Sequence, residues 1–195
     1  MGNVMSKNDS STINFGEHIN IPNIIVSLNF SNKDIISSIQ DISLSDETIL
    51  NKDNNFKRIT IKSNRFSNLS PELKIFVNNA YQMMTTNGFS CNKNKLFIEF
   101  QEYNLDGLID KYSVFTWHYD DNAAHNFKCN TMIIYLNKDE SLNGGNFLYY
   151  YDGKYKKIFV KNNTIVMCSG RLVHTPEILS GIGKRKSIVI QFERI

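Results

Sequence analysis

Hydrophobic and polar positions along this chain change rhythm near Gly88. Before it, "IPNIIVSLNF" (21–30) is β-branched and reads as a strand ending at Ser31 and Asn32, either of which can cap a helix whose apolar face is Ile35, Ile36 and Ile39. A second helix is marked more fully. Ser70 stands at the N-cap, Pro71 at the first helical position and Glu72 in the first turn, and Gly88 suits a left-handed stop. Between the two, residues 43–69 are polar and carry only one strand-like run, "FKRITIKS". After Gly88 the period shortens to two. Strands are predicted at 96–103, 113–120, 131–137, 146–151, 154–160, 164–169 and 187–194. Asp152-Gly153 is a two-residue hairpin signal, and Gly144-Gly145 marks a bulge or a close backbone approach.

Short strands following a helical start predict a mainly β fold with N-terminal helices: a β-sandwich or jelly roll, with the helices backing one sheet. No repeat or linker divides the chain. Residues 1–20 read as a flexible segment and 21–195 as one domain whose β core runs from about 96 to 195. A length of 195 residues with 41% hydrophobic and 12% aromatic content is enough for one sizeable core. The net charge of +3 is dispersed and leaves no basic footprint, which argues against a nucleic-acid partner.

Cys91, Cys129 and Cys168 are odd in number and widely spaced, so neither a disulfide framework nor a structural zinc site is expected. A reducing, cytoplasmic compartment fits them, and the sequons at Asn8, Asn29, Asn68 and Asn162 then carry no meaning. No run is apolar enough to cross a bilayer, and the N-terminus lacks the order of a secretory signal. Gly2 followed by Ser6 matches an N-myristoylation pattern, which would allow weak peripheral membrane association; the alternative is an ordinary mobile start.

The chemistry gathers around "WHYDD". In a strand, His118 and Asp120 would project from one face with Tyr119 turned away. His174 could join them at the mouth of a jelly roll, giving two imidazoles and one carboxylate, a set that suits non-haem Fe(II) and also catalytic zinc. Arg185, in the "GKRKS" turn into the last strand, would set a planar fork for a carboxylate near that metal, and Tyr135 in "MIIYLN" could add a phenolic donor. An anion clamp beside a metal with open positions favours iron with a small chelating acid.

With these residues in order, from Phe97 to Arg194, the chain resembles the Fe(II)/2-oxoglutarate-dependent dioxygenases, and among them the prolyl hydroxylase-like branch: His-x-Asp, "IIYLN", "NGGNF", His174 and "GKRKS" follow one another as in that branch. The resemblance implies a double-stranded β-helix in which His118, Asp120 and His174 ligate iron. It also implies that Arg185 binds the distal carboxylate of 2-oxoglutarate with support from Tyr135, and that Ser187 and Tyr103 fall where further cosubstrate contacts occur. The segment from Tyr103 to His118 is longer than usual for the family, which leaves Tyr103 open. By the same resemblance O2 is consumed, succinate and CO2 are formed, and ascorbate can serve as reductant. Asp120 stands where related halogenases have a small residue, so hydroxylation is the expected outcome.

The branch implies a protein or peptide substrate, with segments 104–113 and 121–130 as its lid; a free amino acid or other small molecule is the alternative. Demethylation of nucleic-acid bases is disfavoured because Gln191 and Arg194 are out of register for it. A non-catalytic jelly-roll binding module or virion-associated protein is the reading without enzymology. Other residues are given plain roles. His18 and His125 are expected at the surface, Asp121 in a turn or as a supporting acceptor, Trp117 in the core, and Arg171 either in a salt bridge or facing substrate.

Overall fold

The computed structural model of the chain describes residues 24–27, 48–53, 55–63, 66–107, 111–121 and 127–195. The expected helix after Ser31, the Gly2 motif, His18 and His125 lie outside the described residues. Three strands come first: β1 (Ile24–Ser27), β2 (Thr48–Asp53) and β3 (Phe56–Ser63). The single described α-helix, α1 (Pro71–Thr86), follows them, so the expectation of a helical start is corrected among the described residues. The remaining strands are β4 (Cys91–Asp106), β5 (Cys129–Lys138), β6 (Leu142–Asn143), β7 (Phe147–Tyr151), β8 (Lys154–Ile158), β9 (Thr164–Ser169), β10 (His174–Pro176) and β11 (Ser180–Arg194).

The strands form two antiparallel sheets. The large one runs β1-β9-β5-β11-β4-β3-β2, with β6 paired to one end of β11, and the small one runs β10-β7-β8. This is a jelly-roll-like, mainly β architecture. The alternation of β11 shows how it works: Ile188, Ile190 and Phe192 turn to the outer face, while Arg185, Ser187, Val189 and Gln191 turn inward to a cavity between the sheets. β4 and β5 obey the same parity, with Leu96, Ile98, Met132 and Ile134 outside and Phe97, Glu99, Gln101, Ile133 and Tyr135 inside.

Helix α1 closes the outer face. Ser70 Oγ accepts from the Leu73 N–H at 3.3 Å, and Pro71 occupies the first turn, where its missing N–H costs nothing. Leu73, Phe76, Val77, Ala80 and Met84 recur at helical spacing and bury against β4, β5 and β11. Each large side chain in that seam contributes about 1.5–3 kcal/mol of transfer free energy. Gly88 ends the helix at φ +86, as its position foretells.

Two other glycine signals are borne out. Asp152 and Gly153 both take positive φ in the β7–β8 hairpin, with Tyr151 paired to Lys154. At Gly144 (φ +77) an added Cβ would lie 1.9 Å from the Ile178 carbonyl oxygen, so the close backbone approach is real.

The stretch 113–120 is not the strand its alternation predicts. It is an irregular segment tied to the sheets by single antiparallel pairs, Tyr112 with Leu179 and His118 with His174. Its side chains bond locally, Ser113 Oγ to the Phe115 carbonyl and His118 Nδ1 to the Thr116 carbonyl, which competes with a ladder. Trp117 is also corrected. It is 40% exposed and packs on Tyr155 with ring centroids 5.0 Å apart, because Phe115 and His118 take the inward positions. The segments expected as a lid begin inside β4 and end inside β5, and residues 108–110 and 122–126 lie outside the described set.

Candidate metal centre and anion site

His118, Asp120 and His174 come together at one end of the cavity, with one ligand atom from each lying within 4.8 Å of the others. A reciprocal backbone pair brings them there: His118 N–H donates to the His174 carbonyl at 3.0 Å and His174 N–H to that of His118 at 2.8 Å. The Asp120 and Asp121 N–H groups both donate to Gly170, where any Cβ would strike Cys129 and Asp121. Each imidazole is oriented in the same manner. His118 Nδ1 lies 2.6 Å from the Thr116 carbonyl and His174 Nδ1 lies 2.9 Å from that of Leu172. A carbonyl only accepts, so both Nδ1 atoms carry the proton and both Nε2 lone pairs are free for a cation. Those Nε2 atoms stand 3.7 and 3.8 Å from the two oxygens of Asp120. Thr131 Oγ1 donates to Asp120 Oδ2 at 2.6 Å, and burial pushes the His174 imidazole below its ordinary range, which keeps it neutral and able to ligate.

At the other end of the cavity, Arg185 is 3% exposed. Its guanidinium lies against the rings of Tyr135 and Tyr103, 5.0 and 5.4 Å from their centroids, and Lys138 adds like charge nearby. Among the described residues no carboxylate pairs with it. The Tyr103 hydroxyl beside it is buried without a hydrogen-bond partner. Burying a lone cation costs several kcal/mol unless an anion meets it.

No family model matches the chain, and no curated protein matches its sequence. Solved structures do. A prolyl-4-hydroxylase of Pseudomonas putida superposes with a TM-score of 0.57 over 89% of this chain and 93% of its own, at 14% identity. A prolyl hydroxylase from Trichoplax adhaerens, solved with a hypoxia inducible factor oxygen degradation domain peptide fragment, gives 0.58 over 90% and 85%, at 15% identity. HygX from Streptomyces hygroscopicus, solved with nickel and 2-oxoglutarate bound, gives 0.57 over 88% and 83%, at 11% identity. The fold is that of the 2-oxoglutarate–Fe(II) oxygenases. At these identities the likeness establishes the architecture, and the chemistry rests on the residues.

The residues fit the groups that an oxygenase fold of this kind holds. Two imidazoles and a carboxylate are a donor set for a divalent metal with open positions. The guanidinium of Arg185, hydrogen-bonded to Tyr135 but without an acid partner among the described residues, is a complement for a buried carboxylate. Tyr135 and Ser187 line the cavity beside Arg185, while Tyr103 packs behind it. Asp121 is a support: Oδ1 accepts from the Cys129 N–H at 2.9 Å and Oδ2 pairs with Arg194 at 2.7 Å. Arg171 takes the salt-bridge alternative, 3.7 Å from the same oxygen, with its side chain mostly in solvent.

Sequence reasoning passed over Thr131, Gly170, Glu99 and Arg58. The first and third could have been found. Thr131 shares the inward parity of Ile133 and Tyr135, and Glu99 that of Phe97 and Gln101, so a polar residue at such a position signals the cavity.

Proposed function

We propose that the protein is an Fe(II)- and 2-oxoglutarate-dependent oxygenase that hydroxylates an amino-acid side chain, with succinate and CO2 as coproducts. The observation that carries this is the buried, acid-free guanidinium of Arg185 on the same cavity as His118, Asp120 and His174. In the proposed enzyme, 2-oxoglutarate with O2 supplies the oxidising power that turns a substrate C–H into C–OH. His118, Asp120 and His174 hold the iron, Arg185 anchors the distal carboxylate, and Tyr135 and Ser187 shape its berth. Phe147, stacked on His174 at 5.1 Å between centroids, and Ile133 keep that end of the cavity apolar and dry.

A substrate within a protein or peptide is supported by the fold shared with prolyl hydroxylases, one of them solved with a peptide. A free amino acid is supported by a charged pair taken up below. The deciding test is anaerobic titration of the apo-protein with Fe(II) and then 2-oxoglutarate, following the weak visible charge-transfer band of a keto acid chelated to ferrous iron. The band is expected, and it should be lost in Arg185→Ala. Iron binding without a band, or binding of zinc alone, overturns the reading.

A further inference from the structure

Glu99 and Arg58 line the metal cavity but belong neither to the His118, Asp120 and His174 group nor to the ring contacts of Arg185. Glu99 is on β4, where it faces inward between Phe97 and Gln101, and its neighbour on β11 is Val189. Arg58, on β3, pairs with Gln101 across the next ladder, so the two charges sit on the flank of the large sheet away from β5 and the Tyr135 berth. The carboxyl is held in place. Gln101 Nε2 donates to Oε1 at 2.6 Å, and Ser187 Oγ donates to the Gln101 side-chain carbonyl at 3.1 Å. The other oxygen, Oε2, accepts no hydrogen bond among the described residues and faces Arg58 Nη1 at 3.5 Å. Burial pushes the Glu99 carboxyl up, against the pull of Gln101 and Arg58. A cavity of about 160 Å³ therefore carries a buried acid with one oxygen free beside a part-exposed base, toward the β3 side of the same sheet face that holds the cosubstrate berth.

Charge balance narrows what this pair can receive. A divalent metal with Asp120, Arg185 with a dicarboxylate cosubstrate, and Glu99 with Arg58 sum to neutrality. A cationic or anionic substrate would leave a buried excess, which is costly; a dipolar one would not. The head group of a free α-amino acid offers an ammonium to Glu99 and a carboxylate to Arg58 at the spacing of two adjacent charges, and both contacts are charge-assisted. The interior of a peptide offers neither charge. We propose that Glu99 and Arg58 are the specificity-determining pair of this site and that they take the zwitterionic head of a free α-amino acid, whose side chain then extends toward the metal. This deepens the oxygenase reading and rests on it.

The experiment measures succinate formation by the Fe(II)-loaded protein with each proteinogenic amino acid, with the same compounds blocked as N-acetyl or C-amide derivatives, and with proline- and lysine-containing peptides. At least one free amino acid should stimulate turnover, and both kinds of blocking should abolish the stimulation. In Glu99→Gln, which keeps the contact to Gln101 and the side-chain volume, the KM for that amino acid should rise about ten- to hundredfold while the KM for 2-oxoglutarate holds, as expected for loss of one charge-assisted hydrogen bond. Stimulation by peptides or blocked derivatives, stimulation by none of the compounds, or an unchanged amino-acid KM in Glu99→Gln overturns the proposal. Each of those outcomes leaves the oxygenase reading intact as long as the ferrous charge-transfer band is present; its absence counts against the parent reading.

Discussion

Replacing Arg185 with methionine separates two roles that are usually confounded, because the expected effects on stability and on binding do not run together. The guanidinium is 3% exposed and has no acid partner among the described residues, so the apo-protein bears its desolvation cost, several kcal/mol for a buried ion. Methionine fills similar space without that cost. It gives up contacts with the Tyr103 and Tyr135 rings, each worth about 0.5–2 kcal/mol. The two contributions are comparable, and the apo melting temperature should therefore not fall. Binding changes in the other direction. In the wild type, 2-oxoglutarate at a hundred times its Kd stabilises by about 2.7 kcal/mol, or roughly 5–10 °C for a domain of this size. Loss of a charge-assisted contact worth about 1.5–3 kcal/mol weakens binding about ten- to hundredfold. The same cosubstrate concentration then yields only about 0.4–1.4 kcal/mol. Thermal unfolding in anaerobic Fe(II) buffer, with and without 2-oxoglutarate, reads both quantities. A variant that melts well below the wild type when apo, yet keeps the full shift on adding cosubstrate, would refute the reasoning, since Arg185 would then be a structural cation.

Two further outcomes follow from the geometry. Thr131→Val deletes the 2.6 Å hydrogen bond to Asp120 at nearly constant volume and should weaken metal affinity about ten- to hundredfold, measured by competition with a chelating dye; unchanged affinity would show that Asp120 is oriented without it. Gly144→Ala should lower the denaturation midpoint by the equivalent of about 1–3 kcal/mol, because φ is +77 and the new Cβ would meet the Ile178 carbonyl. Gly153→Ala, with φ +70 but no atom within 4 Å, should cost less, and equal losses at the two sites would remove the steric account.

The candidate site was legible where side-chain chemistry and order along the chain agree, and the structure brings those residues to one cavity. His118, Asp120, His174 and Arg185 have side chains whose chemistry is narrow, and their order along the chain survives whatever the backbone does between them. The backbone itself was harder to read. The "SVFTWHYD" stretch alternates like a strand, but its inward residues serve the site and its hydroxyl and imidazole groups bond to nearby carbonyls, so the alternation reports a cavity wall with no continuous ladder. Strands β4 and β11 run further than predicted because their ends, such as "CNKNK" and "SGIGK", are polar or glycine-rich and are held by pairing with each other. β3 is the predicted "FKRITIKS" run, whereas β2, with its polar "NKD" end, was obscured in the same way and is held by pairing with β3. Glu99 was overlooked because an acid in a strand reads as solvent-facing until the parity of its neighbours is taken into account.

The mutual backbone pair between His118 and His174 has a consequence for which cation the protein carries. The two imidazoles are clasped to each other by main-chain bonds and aimed by their own carbonyls, contacts that need no ion to form. Zinc-finger domains owe their fold to the ion, whereas a nest held by main-chain bonds does not. Cobalt, nickel and zinc should all enter readily and in the usual order of divalent affinity, so in the proposed oxygenase the choice of iron would rest on supply and not on the nest. Preparations of the protein should accordingly arrive with mixed metal content, and activity should track the iron fraction rather than the total.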